Sequence, residues 1–308
     1  MIPPTPNAPS EQWTAFSMSV IPDRVSAEPA TPTDRRLRAL LGRAGQIALG
    51  HFGRVAVSRK GDGSPVTDAD RAAEKALVEG LTEAFPDHAV RGEEGGHAGS
   101  PDQPTWVVDP IDGTAAFVEG LAYWGPTVAL VEGGIVRCAA TWLPRTADYW
   151  YFESGVGAFH NGQRMGHLGD PALTRSTVLY VPSRMHAAGP LIWPGKARCL
   201  GSIAAHLALV ASGAAAAAVV AGGWAPWDTA AGLALIRETG GHARVLLPTS
   251  GGTRAFPALD LAAHGGLPFM AGTPTALDWL AGAHRLPEHA SGSDEHSQTP
   301  NAHRGTDG

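Results

Sequence analysis

Residues 106–114 read Trp106-Val107-Val108-Asp109-Pro110-Ile111-Asp112-Gly113-Thr114. Three consecutive large apolar residues predict a short buried strand. It runs into two carboxylates three residues apart, with a proline between them. Proline fixes φ and predicts a turn, which lets Asp109, Asp112 and the Ile111 carbonyl face one point. Gly113 and Thr114 follow at what reads as a helix start, where unpaired backbone N–H groups suit a phosphate. An oxygen-rich pocket beside a phosphate cradle is what a hard cation such as Mg²⁺ requires. Taken alone, the spacing equally suits a helix cap beside a solvated carboxylate.

Outward from this stretch lie three further acidic segments. Upstream, Arg91-Gly92-Glu93-Glu94-Gly95-Gly96 places two adjacent acids between glycines; by itself it is also an ordinary acidic surface loop. Further upstream is the run from Lys60 through Ser64 and Thr67 to Asp68 and Asp70, readable as a Gly/Ser loop followed by a helix cap. Downstream, Trp227-Asp228-Thr229-Ala230-Ala231-Gly232 sets Asp228 at a helix N-terminus, where a plain cap would account for it.

The remaining pattern alternates helices and strands. Leu37, Leu40, Leu41, Ala44, Ile47, Ala48 and Phe52 recur at helical spacing over about 34–52, and Ala73, Leu77, Leu81 and Phe85 repeat it from Asp70 to Phe85. Thr127 to Leu143 reads as two strands joined at Gly133-Gly134, Tyr149 to Phe152 as another strand, and His160-Asn161-Gly162 as a turn. Ser202 to Ser212 and Asp228 to Thr239 read as helices, the second stopped by Gly240-Gly241. Hairpins mixed with crossovers predict a layered α/β or α+β architecture. The ends differ. Residues 1–33 carry seven prolines with many Ser and Thr, and 287–308 hold almost nothing that could enter a core. Both are expected to be disordered tails around one domain at 34–286.

The 308-residue chain is 44% hydrophobic with a net charge of −6 and no basic run. That argues against nucleic acid or an anionic membrane as the main partner. Cys138 and Cys199 match no zinc spacing and read as two reduced interior thiols of a cytoplasmic protein. The thirteen histidines fall into no metal-ligand spacing. Residues 1–33 lack a basic start followed by an apolar run, so no signal peptide is expected. Ile203 to Trp224 is nearly charge-free, but its Ala and Gly content predicts an interior helix plus strand rather than a membrane span.

The GEE, WVVDPIDGT and WDTAAG segments, in that order and preceded by SPVTDADRAAE, resemble the inositol monophosphatase superfamily over roughly residues 35–285. The resemblance implies a stacked α-β-α-β-α sandwich and Mg²⁺-dependent phosphatase chemistry with two or three ions, usually inhibited by Li⁺. Carried over residue by residue, Glu93, Asp109, the Ile111 carbonyl, Asp112 and Asp228 hold metal. Asp70 and Thr114 orient the attacking water, while Gly113 and Thr114 bind phosphate through backbone N–H groups. Lys60 and Glu94 support the metal loop. The partner implied is a small phosphorylated metabolite, and a homodimer is left open as the assembly.

Two departures bear on substrate. After the phosphate turn the chain has Ala115-Ala116-Phe117 where inositol phosphatases usually carry Thr-Asn-Phe. Seven residues before Asp228, Ala221 stands where many members carry a glutamate that binds substrate hydroxyls. Alanine accepts no hydrogen bond. Trp224 reads equally as a pocket wall or a structural aromatic. The stretch from Ala116 to Gly125 is similar to the histidinol-phosphate phosphatase branch. The substrate is thus histidinol phosphate, inositol phosphate or a related cyclitol or amino-sugar phosphate. The alternative is a catalytically weak metal- and phosphate-binding regulatory member of the same fold.

Overall fold

The computed structural model describes residues 30–54, 57–61, 63, 65–100, 102–188, 191–247, 252–256 and 266–283. The first half contains helix α1 (Pro32–His51), strands β1 (Val57–Arg59) and β2 (Pro65–Thr67), helix α2 (Asp68–Ala84), strands β3 (Ala89–Gly92), β4 (His97–Ala98) and β5 (Thr105–Asp112), and the short helix α3 (Thr114–Val118). A meander follows through β6 (Gly125–Glu132), β7 (Ile135–Leu143), β8 (Asp148–Glu153), β9 (Gly157–His160) and β10 (Gln163–Arg164). The second half holds β11 (Val178–Tyr180), β12 (Lys196–Arg198), α4 (Ile203–Ala211), β13 (Ala217–Val220), α5 (Pro226–Glu238), β14 (His242–Leu246), β15 (Thr253–Ala255), β16 (Phe269–Gly272) and α6 (Pro274–Ala283).

Alternation along β5 sets the layering, because successive side chains of a strand point to opposite faces. Trp106 and Val108 pack with Leu37 and Leu41 of α1 and Leu77 and Leu81 of α2. Val107, between them, packs with Leu207 and Val210 of α4 and Leu233 and Ile236 of α5. The same cluster takes in Val220, Val245 and Phe269 of a second sheet. That sheet turns Leu179, Val219 and Met270 the other way, onto Leu277 and Leu280 of α6. The order is therefore α1/α2, first sheet, α4/α5, second sheet, α6: the expected α-β-α-β-α sandwich. Because both faces of β5 are covered, all eight of its residues are buried, which explains its unbroken apolar start.

The first sheet runs β10-β9-β8-β7-β6-β5-β3-β4 and the second β12-β11-β13-β16-β14-β15. In the first, β3 and β5 are the parallel pair. The expected turn at Pro110 is instead a bulge within β5. Asp109 pairs with Thr127 and Asp112 with Gly125, so two residues face one across the irregularity. Proline is tolerated there because a bulge needs no ladder donor.

The expected tail 1–33 ends earlier than its composition suggested. Thr31 caps α1 by accepting from the Asp34 N–H at 3.1 Å, and Pro32 opens the helix. The Thr31 hydroxyl also donates to Glu153 at 2.7 Å. Residues 1–29 and the tail expected at 287–308 lie outside the described residues. Cys138 is buried as expected, but Cys199 is exposed, at the end of the edge strand β12 with Ser183 Oγ 3.2 Å away. Ile203 to Trp224 divides into α4 and β13. Among the described residues, no helix is long and apolar enough to cross a membrane.

Candidate metal and phosphate site

The parallel pairing of β3 and β5 brings the first two acids together. Gly92 sits opposite Val108, and the Glu93 N–H donates to the Val108 carbonyl at 3.1 Å. Glu93 therefore leaves the end of β3 beside Asp109. Asp109 is only 3% exposed, and its Oδ1 accepts from the Ile111 N–H at 2.9 Å across the bulge. Asp228 arrives from the first turn of α5, which packs on β5 and β6. Its Oδ2 accepts from the Ala225 N–H at 2.7 Å, so Asp228 is not the cap itself but the third helical residue, reaching back to the cap residue Ala225. One carboxylate oxygen each from Glu93, Asp109 and Asp228 lie within 4.8 Å of one another.

Asp112 is buried at the edge of this trio. Its Oδ2 accepts from the Ser202 hydroxyl and, at 2.9 Å, from the Ala204 N–H at the start of α4. Neither Asp109 nor Asp112 is a solvated carboxylate. Burial, then the charges of Glu93, Asp112 and Asp228, push the Asp109 carboxyl well up from its ordinary value. Burial raises Asp112 to about 7 and Asp228 to about 8, against the hydrogen bonds each accepts. A cluster of hard oxygen donors whose full ionisation is costly matches the chemistry of a Mg²⁺ site.

Asp70 occupies the third position of α2, 1% exposed. Its Oδ2 accepts from the Thr67 N–H at 2.8 Å and the Thr67 hydroxyl at 2.6 Å. The cap motif thus holds one carboxylate oxygen and leaves Oδ1 to the Thr114 hydroxyl, 3.2 Å away. Burial raises the Asp70 carboxyl despite these donors. The Ile111 carbonyl, expected as a metal ligand, also lies 3.2 Å from Thr114 Oγ1. Gly113 takes φ 90°, and a Cβ there would meet Ser202 Cβ at 3.0 Å and the Gly201 and Tyr123 carbonyls at 3.1 Å. Only glycine fits both the left-handed conformation and the space. Lys60 Nζ lies 2.6 Å from both Glu93 and Glu94. Burial works against its charge, but these partners hold the ammonium above its ordinary value.

Residues 31–267 match the Inositol monophosphatase family. The chain belongs to the inositol monophosphatase family. A histidinol-phosphatase of Chlorobaculum parvum is 34% identical over 68% of this chain and 85% of its own length. A fructose-1,6-bisphosphatase/inositol-1-monophosphatase of Thermotoga maritima is 34% identical over 66% of this chain and 80% of its own. A solved IMPase structure from Thermotoga maritima superposes with a TM-score of 0.65 at 30% identity, covering 79% of this chain and 92% of that one. These inositol monophosphatase relatives are phosphatases by name, and the hydrolase class of this chain follows from the family.

The two residues weighed for the substrate side differ in their surroundings. Ala221 is exposed immediately after β13. Trp224 is buried, donates to the Leu267 carbonyl at 2.9 Å and meets the Phe269 ring edge-on at 5.5 Å, so its structural reading holds. Sequence reasoning missed Ser202 and Glu74. Ser202 is the cap of α4, its Oγ accepting from the Ala205 N–H at 3.0 Å, and a serine before an apolar helical run is a readable cap signal. Glu74 lies on the buried stripe of α2 beside Ala73 and Leu77, and an acid on an apolar stripe is a readable signal of a bound partner.

Proposed function

We propose that this member of the family hydrolyses the phosphomonoester of a small hydroxylated metabolite, with Mg²⁺ held by Glu93, Asp109 and Asp228 and by the free side of Asp112. The convergence of three carboxylate oxygens within 4.8 Å, from the turn after β3, the bulge in β5 and the first turn of α5, carries the reading. Bound there, Mg²⁺ supplies Lewis-acid activation of water and neutralises phosphate charge. The chain's own groups do the rest. The N–H groups of Gly113 and Thr114 cradle the phosphoryl oxygens, and Thr114 Oγ1 with Asp70 Oδ1 orients the attacking water. Water adds to phosphorus, the P–O ester bond breaks, and the leaving alkoxide takes up the proton released. No side chain is asked to become phosphorylated.

On the alcohol side, Ala221 offers no acceptor to a polyol hydroxyl, which supports an alcohol half less dependent on hydroxyl recognition than inositol; histidinol phosphate and amino-sugar phosphates are the candidates. A phosphate-release screen over phosphorylated alcohols with and without Mg²⁺ tests both parts. Asp109→Asn serves as the inactive control and should cost about 10³-fold or more. Wild-type protein that releases no phosphate from any ester while still binding Mg²⁺ and phosphate would favour the regulatory alternative.

A further inference from the structure

The metal-ligand residue Glu93 sits in a turn between β3 and β4, tied to β5 by its N–H on the Val108 carbonyl and to Lys60 by its carboxylate. The Gly92 N–H closes the turn on the Gly96 carbonyl at 2.7 Å, and Gly95 within it has φ 98°. Beneath it lies Glu74 of α2, 4% exposed. Its Oε2 accepts from the Glu94 N–H at 2.7 Å and its Oε1 from the Gly96 N–H at 2.7 Å. Gly92 and Gly96 are the floor of the turn. A Cβ on Gly92 would collide with the Glu74 carboxylate, and one on Gly96 would come within 2.7 Å of Glu74 Oε1. A carboxylate buried this deeply is unfavourable unless its oxygens are hydrogen-bonded; here each oxygen accepts from one backbone donor.

We propose that Glu74 is a positioning residue, which clamps the 93–96 turn through the Glu94 and Gly96 N–H groups and thereby sets the direction of Glu93 into the acidic cluster. Glu74 stands one helical turn after Asp70, so α2 orients both the water-directing carboxylate and the metal-directing one. In this role Glu74 touches neither substrate nor ion. The inference rests on the reading of Glu93 as a metal ligand.

Glu74→Gln is the informative change. An amide has one acceptor oxygen and sets an NH₂ against the other N–H, so one clamp bond is lost with little change of shape. Amide exchange at whichever of Glu94 and Gly96 loses its acceptor should then rise roughly 10-fold or more. Mg²⁺ affinity by calorimetry should fall roughly 10- to 100-fold. At saturating Mg²⁺ most of kcat should return, since the ligands themselves remain. Glu74→Asp, which keeps charge but loses reach, should resemble Glu74→Gln. Gly96→Ala attacks the clamp from the other side, should give the same pattern, and carries the test if the Glu74 variants do not fold. A Glu74→Gln protein that melts earlier but binds Mg²⁺ as wild type does would overturn the proposal, as would unchanged exchange at both amides. Wild-type protein that binds no Mg²⁺ would instead overturn the metal reading of Glu93, while the exchange data would still decide whether Glu74 holds the turn.

Discussion

The Thr114 hydroxyl lies 3.2 Å from Asp70 Oδ1, joining the first turn of α3 to the first turn of α2 across 44 residues of chain. The same carboxylate is fixed on its far side by both the backbone and the hydroxyl of Thr67. The Asp70 oxygen facing Thr114 is therefore aimed by two groups of Thr67, the cap residue of α2. Removing the Thr114 hydroxyl should lower kcat by about 10²-fold, in the range of a lost proton-orienting group, with Mg²⁺ affinity nearly unchanged. Thr114→Ser should keep most of the activity. Steady-state kinetics with parallel Mg²⁺ titrations check this; equal losses in Thr114→Ala and Thr114→Ser would contradict it.

Stability should depend on pH through the acidic cluster. Asp112 and Asp228 are raised to about 7 and about 8 by burial, from an unfolded value near 3.9. A group raised in the folded state contributes stability that is fully present below its unfolded pKa and lost as pH rises through the folded one. Metal-free protein should thus lose melting temperature between about pH 4 and pH 8. Mg²⁺ takes the place of those protons, so its stabilising shift should be larger at pH 8 than at pH 5. Thermal scans with EDTA and with Mg²⁺ at both pH values give the comparison, and an equal shift at each would count against the cluster as the binding site.

Truncation of the N-terminus should show a sharp limit. Removing residues 1–29 leaves Thr31, its cap on α1 and its contact with Glu153 in place. Removing residues 1–33 deletes the cap, which is worth about 1–2 kcal/mol, roughly 2–8 °C in melting temperature for a chain of this size. Two truncated proteins with the same melting temperature would show that the cap contributes nothing.

Substrate preference should respond to Ala221. This residue is exposed at the end of β13, so a longer side chain can be accommodated without disturbing the core. Ala221→Glu should raise kcat/KM for inositol 1-phosphate by roughly 10-fold or more, the worth of a charge-assisted hydrogen bond to a hydroxyl. Activity on histidinol phosphate should change less. If wild-type protein already prefers inositol 1-phosphate to histidinol phosphate and amino-sugar phosphates, Ala221 does not set specificity.

Much of the fold was legible because its signals are local. The α1 and α2 stripes, the Gly133-Gly134 hairpin and the Gly240-Gly241 stop all depend on residues within a few positions of one another. The misreadings have physical causes. Pro110 signals a turn in any short window, and only a partner strand with Gly125 opposite Asp112 makes it a bulge. The proline-rich composition of residues 1–33 hid a helix start at Pro32, because Thr31 acts through Glu153, which lies 122 residues away.

The amino-acid sequence by itself determined the family, the layered α/β class and the residue types of the site. Asp-Pro-Ile-Asp-Gly-Thr carries its chemistry within one short segment, and propensity and capping act over the same short range. Only the tertiary structure decided which acids meet and what holds them. The parallel pairing of β3 with β5 sets Glu93 beside Asp109, and the packing of α5 on that sheet delivers Asp228. Ser202 on Asp112 and Glu74 under the Glu93 turn act across 90 and about 20 residues of chain. No spacing in the sequence encodes such contacts, because burial of both faces of β5, a property of the whole fold, brings these groups together.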